Sequence, residues 1–107
     1  MTDWLSQYEP KKVTAQEAMR VLRSGYRLFV TGNASVPQRL VKALEERALE
    51  LRDLMLIQVL VIGKADYVQP EFAPHLRVNS LFVSPSIREA VNAGRADFTP
   101  VFLSEIP

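Results

Sequence analysis

Few residues in this 107-residue chain have the types and spacing that chemistry needs. Thr31-Gly32-Asn33-Ala34-Ser35 joins an apolar segment to an amphipathic one. Its small residues admit close backbone approach, and the N–H groups at a helix start can receive an anion or oxyanion. With one glycine it satisfies neither the phosphate loop nor the dinucleotide fingerprint; taken alone, a tight turn with an N-cap explains it more simply. Gly63-Lys64-Ala65-Asp66-Tyr67 offers a permissive glycine and a lysine that could neutralise a phosphate, against the plainer reading of a solvated surface lysine. Ser84-Pro85-Ser86 reads as a helix opening, with Arg88 and Glu89 on the surface just behind it. His75 is the sole histidine and has no second His, no Cys and no close carboxylate pair, so neither a metal site nor a triad forms around it. Glu105 is the one acid near a strand end, where a covalent carboxylate could operate, and nothing in the sequence activates it. Trp4, Tyr8 and Tyr67 are too dispersed for a base-stacking platform. The spacing therefore supports a ligand-binding half-site, with no catalytic set and no metal.

Composition narrows the classes. Thirteen Lys+Arg against 12 Asp+Glu, scattered rather than blocked, leave no electrostatic footprint for nucleic acid or anionic lipid. Zero cysteines remove disulfides, thiol nucleophiles and Cys-ligated metals together. The longest apolar run, Leu54-Met55-Leu56-Ile57-Gln58-Val59-Leu60-Val61-Ile62, is nine residues with a Gln inside it; a membrane span needs about 20. An acid stands at Asp3, where a signal peptide needs basic charge. The expectation is a soluble, cytoplasmic protein with no membrane or nucleic-acid partner.

The elements that must position those loops follow from periodicity. Residues 1–12 show no usable period and read as an arm, leaving 13–107 as the domain. Thr14-Ala15-Gln16-Glu17 has capping-box spacing ahead of a short helix that Gly25 closes. Tyr26-Arg27-Leu28-Phe29-Val30 reads as a strand. Ser35-Val36-Pro37-Gln38 caps a helix whose apolar stripe is Val36, Leu40, Val41, Leu44, Ala48 and Leu51. The run 54–62 predicts a strand buried on both faces, as in a parallel sheet covered by helices. Residues 64–75 form a connection with room for a brief helical turn. A strand over 78–83, a helix carrying Ile87, Ala90 and Val91 inward until Asn92 and Gly94, and a strand at Val101-Phe102-Leu103 complete the order. Alternation of this kind predicts an α/β fold with a mostly parallel sheet and flanking helices. The last residues, Ser104-Glu105-Ile106-Pro107, follow directly on a buried-looking strand, an ending that suggests an incomplete domain.

Several strings, taken in order, resemble a known family. They are Val13-Thr14-Ala15-Gln16-Glu17-Ala18, Gly32-Asn33-Ala34-Ser35-Val36-Pro37 and Asn79-Ser80-Leu81-Phe82-Val83, then Arg88-Glu89-Ala90-Val91-Asn92-Ala93-Gly94-Arg95-Ala96-Asp97 and Thr99-Pro100-Val101-Phe102-Leu103-Ser104-Glu105-Ile106-Pro107. Together, from Trp4 to Pro107, they resemble the start of the acetyl-CoA hydrolase/transferase family, which includes 4-hydroxybutyrate and succinyl-CoA transferases. Relatives often carry an extra glycine where this chain has Asn33. The resemblance implies the N-terminal part of a CoA-transferase-type domain, within proteins several times longer that hold two similar α/β domains. A glutamate of the second domain would attack the thioester and become glutamyl-CoA; coenzyme A is substrate and no cofactor is implied. Gly32, Asn33, Ala34 and Ser35 would form one wall of the pocket, with Gly63 near it. The implied partners are an acyl-CoA, a small carboxylate such as acetate, and a second α/β domain or partner chain, with homo-oligomers expected. The alternatives are a non-catalytic truncated domain that binds a small anion or a partner chain, and an unrelated sugar-phosphate-type binder sharing only the architecture.

Overall fold

The computed structural model describes residues 3–106; Met1 and Thr2 of the arm and the terminal Pro107 lie outside them. Four strands, β1 (Arg27–Val30), β2 (Leu54–Gln58), β3 (Leu76–Ser80) and β4 (Ala96–Phe98), pair in parallel and lie side by side in chain order. Each new strand is added on the same side of the last, so crossovers of one hand bring every connection to the same face. Helix α1 (Trp4–Tyr8) precedes the sheet and buries no residue. Helix α2 (Ala15–Ala18) and a 3₁₀ turn (Met19–Val21) lead to β1, α3 (Gln38–Ala48) links β1 to β2, and α4 (Pro85–Asn92) links β3 to β4. Between β2 and β3 two 3₁₀ turns, Asp66–Val68 and Pro70–Phe72, replace a helix and bury Tyr67, Val68 and Phe72.

The helices form where the sequence pattern demands. Thr14 caps α2 by accepting the Glu17 N–H at 3.1 Å. In α3 the stripe Val41, Leu44 and Ala48 faces the sheet, while Ala43, small enough to let α2 lie across it, is buried as well. Helix α4 sends Ile87 and Ala90 inward and ends in a Schellman motif, with Gly94 N–H on the Val91 carbonyl and Arg95 N–H on that of Ala90. These side chains close on one face of the sheet, where Leu54, Leu56, Leu76, Val78 and Ala96 are buried.

Several expectations change. The arm is helical over Trp4–Tyr8, because Asp3 accepts the Ser6 N–H. The helix after Thr14 stops at Val21, not at Gly25, which sits in a turn closed by Tyr26 N–H on Arg23 O. Ser35 does not cap α3; its N–H and carbonyl are spent on Gly32 O and Thr31 Oγ1, and the helix starts after Pro37. The third strand is Leu76–Ser80 rather than 78–83. The fourth is Ala96–Phe98, not 101–103, where Phe102 is exposed and Leu103–Glu105 is a 3₁₀ turn. A three-residue strand centred on an aspartate carries no β signal of its own. The Arg77 side chain on β3 holds it by a bidentate ion pair to Asp97, both bonds 2.7 Å.

The largest change concerns the run 54–62. Only its first five residues are strand, and burial alternates along them: Leu54, Leu56 and Gln58 are covered, Met55 and Ile57 are half-buried. The opposite face of the sheet therefore carries Arg27, Phe29, Met55, Ile57, Arg77, Asn79 and Asp97, with Phe29 61% exposed. Helices cover one face among the described residues, not both.

The Arg77 guanidinium holds the Asp97 carboxyl below the usual carboxylate range. Both groups are about half exposed, so screening keeps the pair to about 0.5 kcal/mol. Because the folded pKa is depressed, that stabilisation is present above the unfolded value of about 4 and is lost as pH falls through the folded one. Urea unfolding of Asp97→Asn beside the parent should show a deficit at about pH 7 that closes below about pH 4; an equal deficit at both would assign the loss to shape rather than charge.

Candidate functional site

In open parallel sheets the carboxyl ends of the strands are where loops converge on a ligand. Here those ends are stitched together by main-chain bonds. Thr31 Oγ1 donates to Ser35 O at 2.6 Å and Ser35 N–H to Gly32 O at 3.0 Å, closing a turn beyond β1. Asn33 takes a left-handed backbone (φ 55°), which asparagine tolerates better than most residues. From that position its N–H reaches Leu60 O at 2.8 Å and it pairs with Val61 as an isolated parallel bridge, so β1 and β2 stay in register past their ends. Gly32 is required by contact: a Cβ there would lie 2.6 Å from Leu60 O. Gly63 approaches the start of α3, where the Gln38 amide nitrogen would be 3.4 Å from an added Cβ.

The five residues expected to form a wall thus sit on one rim, Gly32 half-buried and Asn33, Ala34, Ser35 and Gly63 exposed. Lys64 is exposed beside them. The remaining candidates lie elsewhere. His75 donates from Nδ1 to Leu51 O at 2.7 Å, a tie between the α3–β2 loop and the residue before β3. Arg88 is exposed on α4, and Glu89 pairs with Arg95 at 3.0 Å. Glu105 is exposed beside a cleft of about 390 Å³ lined by Leu81, Phe82, Phe98, Pro100, Val101 and Phe102. Among the described residues no group of three or more His, Cys, Asp or Glu converges as a metal site would need, and no helix is long and apolar enough to cross a membrane.

Beneath the rim lies a feature that spacing did not single out. Gln58 and Ser80 are fully buried at the last positions of β2 and β3, and Tyr67 donates its hydroxyl to Gln58 Oε1 at 2.6 Å. Burial, with the Glu45 carboxylate close by, pushes the Tyr67 phenol above its ordinary range. Glu45 is itself raised, by burial first and then by Asp66, while the nearby Tyr67 N–H acts in the opposite direction. The signal was present as a Gln inside an otherwise apolar run.

Comparison with known proteins follows the same outline. The family model described as the acetyl-CoA hydrolase/transferase N-terminal domain matches residues 2–107. The chain is 34% identical over 105 residues to the 4-hydroxybutyrate coenzyme A transferase of Clostridium kluyveri, covering 98% of this chain and 24% of that protein. It is 38% identical over 93 residues to a succinyl-CoA:acetate/propanoyl-CoA:succinate CoA transferase of Fasciola hepatica, covering 85% of this chain and 19% of that one. The crystal structure of RipA from Yersinia pestis superposes with a TM-score of 0.81 at 23% identity over 94% of this chain and 26% of its own, a likeness of fold. The chain spans about a fifth to a quarter of the length of these proteins.

Proposed function

The chain belongs to the acetyl-CoA hydrolase/transferase family as its N-terminal domain, and on that footing we propose that it supplies one wall of a site where coenzyme A passes between an acyl-CoA thioester and a small carboxylate. The observation that carries this reading is the family match over residues 2–107, together with the rim on which Gly32, Asn33, Ala34, Ser35 and Gly63 meet. Small side chains and exposed backbone suit a surface against which a thioester lies flat.

The reactive carboxylate is assigned to polypeptide other than these residues. Of the acids near the loops, Glu45 lies close to the Tyr67 N–H, Glu89 and Asp97 are paired with arginines, and Asp66 and Glu105 are solvent-exposed. In the proposed reaction a glutamate carboxylate adds to the thioester carbonyl and expels the CoA thiolate, leaving an acyl-glutamyl anhydride. The thiolate then attacks the glutamyl carbonyl, forming glutamyl-CoA and releasing the first carboxylate; an incoming carboxylate reverses both steps. Backbone N–H groups would hold the oxyanion at each tetrahedral stage. Coenzyme A enters as substrate, with no other cofactor.

The test is isotope exchange between labelled acetate and acetyl-CoA. The purified chain is expected to show none above background. The same residues joined in frame to the remainder of a family transferase should exchange label and accumulate a hydroxylamine-sensitive glutamyl thioester. Exchange by the chain alone, abolished by replacing Glu45, Asp66 or Glu105, would overturn the assignment.

The open sheet face favours a second reading, a non-catalytic domain that docks on a partner chain or on its own copy. An apolar strip holding Phe29 at 61% exposure beside the unpaired edge of β1 is a surface that association would cover.

A further inference from the structure

Three polar side chains occupy places where packing gives no reason for polarity. Gln58 and Ser80 are register partners with no solvent exposure, and Tyr67 is 1% exposed. Their donors and acceptors close head to tail. The Tyr67 hydroxyl donates to Gln58 Oε1 at 2.6 Å, Gln58 Nε2 lies 3.5 Å from Ser80 Oγ, and Ser80 Oγ donates to the Phe82 carbonyl. The relay therefore starts in the β2–β3 connection, crosses the ends of two strands and finishes on the backbone of the loop after β3.

Main-chain bonds carry it onward. Leu81 N–H binds Gln58 O at 2.9 Å, Phe82 N–H binds Val59 O at 3.0 Å, and Leu60 O receives Asn33 N–H at 2.8 Å. Satisfied buried polar groups add little net stability, and replacing both partners of such a bond by apolar groups of like shape is often neutral. A set of bonds with so little stabilising value is better explained by the single geometry it enforces.

We propose that Gln58, Tyr67 and Ser80 are positioning residues: their buried relay sets the backbone course of segments 59–63 and 81–84, and through Leu60 the turn at 32–35. The wall offered to an acyl-CoA and a carboxylate then has one shape before any ligand arrives. What the wall receives rests on the proposed function; that it is held in this way does not.

Amide hydrogen exchange on the whole chain without ligand separates positioning from simple core filling. The triple variant Gln58→Met, Tyr67→Phe, Ser80→Ala deletes every polar atom of the relay at nearly constant volume. Its overall stability should stay close to the parent's. Exchange at Asn33, Leu81 and Phe82 should speed up roughly ten-fold, while the central-strand amides of Leu56 and Val78 keep their protection. Tyr67→Phe, which removes one hydroxyl, should accelerate Phe82 to a lesser degree and decides the matter if the triple variant does not fold. Unchanged exchange at Asn33, Leu81 and Phe82 in a folded variant overturns the proposal and leaves the CoA-transfer reading intact. Loosened loops in the variant, with no acetate exchange by the unmutated chain joined to a transferase remainder, leave the positioning role standing and remove the transfer reading.

Discussion

Replacing Gly32 by alanine should lower the unfolding free energy by about 2–3 kcal/mol and break the bridge between Asn33 and Val61. The added Cβ would stand 2.6 Å from the Leu60 carbonyl oxygen, and 3.3 Å from the Leu60 carbonyl carbon and amide nitrogen. These are backbone atoms of a segment already fixed by its own bonds, so no side-chain rotation relieves the contact. Leu60 O is also the acceptor of the Asn33 N–H; moving it away from the methyl lengthens the bond that aligns the rim. Gly25→Ala is the control. Gly25 has a left-handed backbone (φ 86°) but nothing within 4 Å of an added Cβ, so its cost is the conformational one alone, about 1 kcal/mol. Urea unfolding of both variants, with exchange at Asn33, makes the comparison. A Gly32→Ala deficit no larger than that of Gly25→Ala would mean that the two loops do not press on each other.

Leu56→Ala should cost about 3–4 kcal/mol, while Ile57→Ala, one residue on, should cost about 1 kcal/mol in the same chain. Leu56 is fully buried at the centre of β2, in register with Leu28 on one side and Val78 on the other. Truncation there leaves a cavity that the strands cannot collapse to fill. Its loss is a large share of the 5–15 kcal/mol that holds a domain of this size. Ile57 points to the open face and is half-buried, so solvent replaces most of what alanine removes. If a second copy or a further domain covers that face, the Ile57→Ala cost rises toward that of Leu56→Ala. Thermal unfolding in the isolated chain and in the longer fusion reads this directly, and light scattering reports self-association. Equal costs in a monomeric isolated chain would contradict the one-sided sheet.

Much of the architecture was legible because it depends on local rules. The cap at Thr14, the stripe of α3, the glycine stop after α4 and the alternation of apolar runs with helices each need only neighbouring residues, and together they imply a parallel α/β sheet. The expected wall residues are also brought together, since Gly32 and Gly63 both follow strands that lie side by side. Errors fell where long-range pairing overrides local preference. The Ala96–Phe98 strand is fixed by its pairing with β3, where Ala96 is buried beside Val78 and Asp97 meets Arg77, 20 residues earlier in the chain. Ser35, suitable as a cap, was captured by its own turn.

Residue order by itself determined the two main helices, the approximate places of the first three strands, the parallel sense of the sheet, and the family. It did so because caps, periodicity and short crossovers act over a few residues. Only the tertiary structure decided that a nine-residue apolar run has one covered face and one open face, and that Gln58, Tyr67 and Ser80 join beneath the rim. Apolar character states a preference for burial without naming the element that supplies it, and a polar residue in a core declares its partner only when another part of the chain is placed against it.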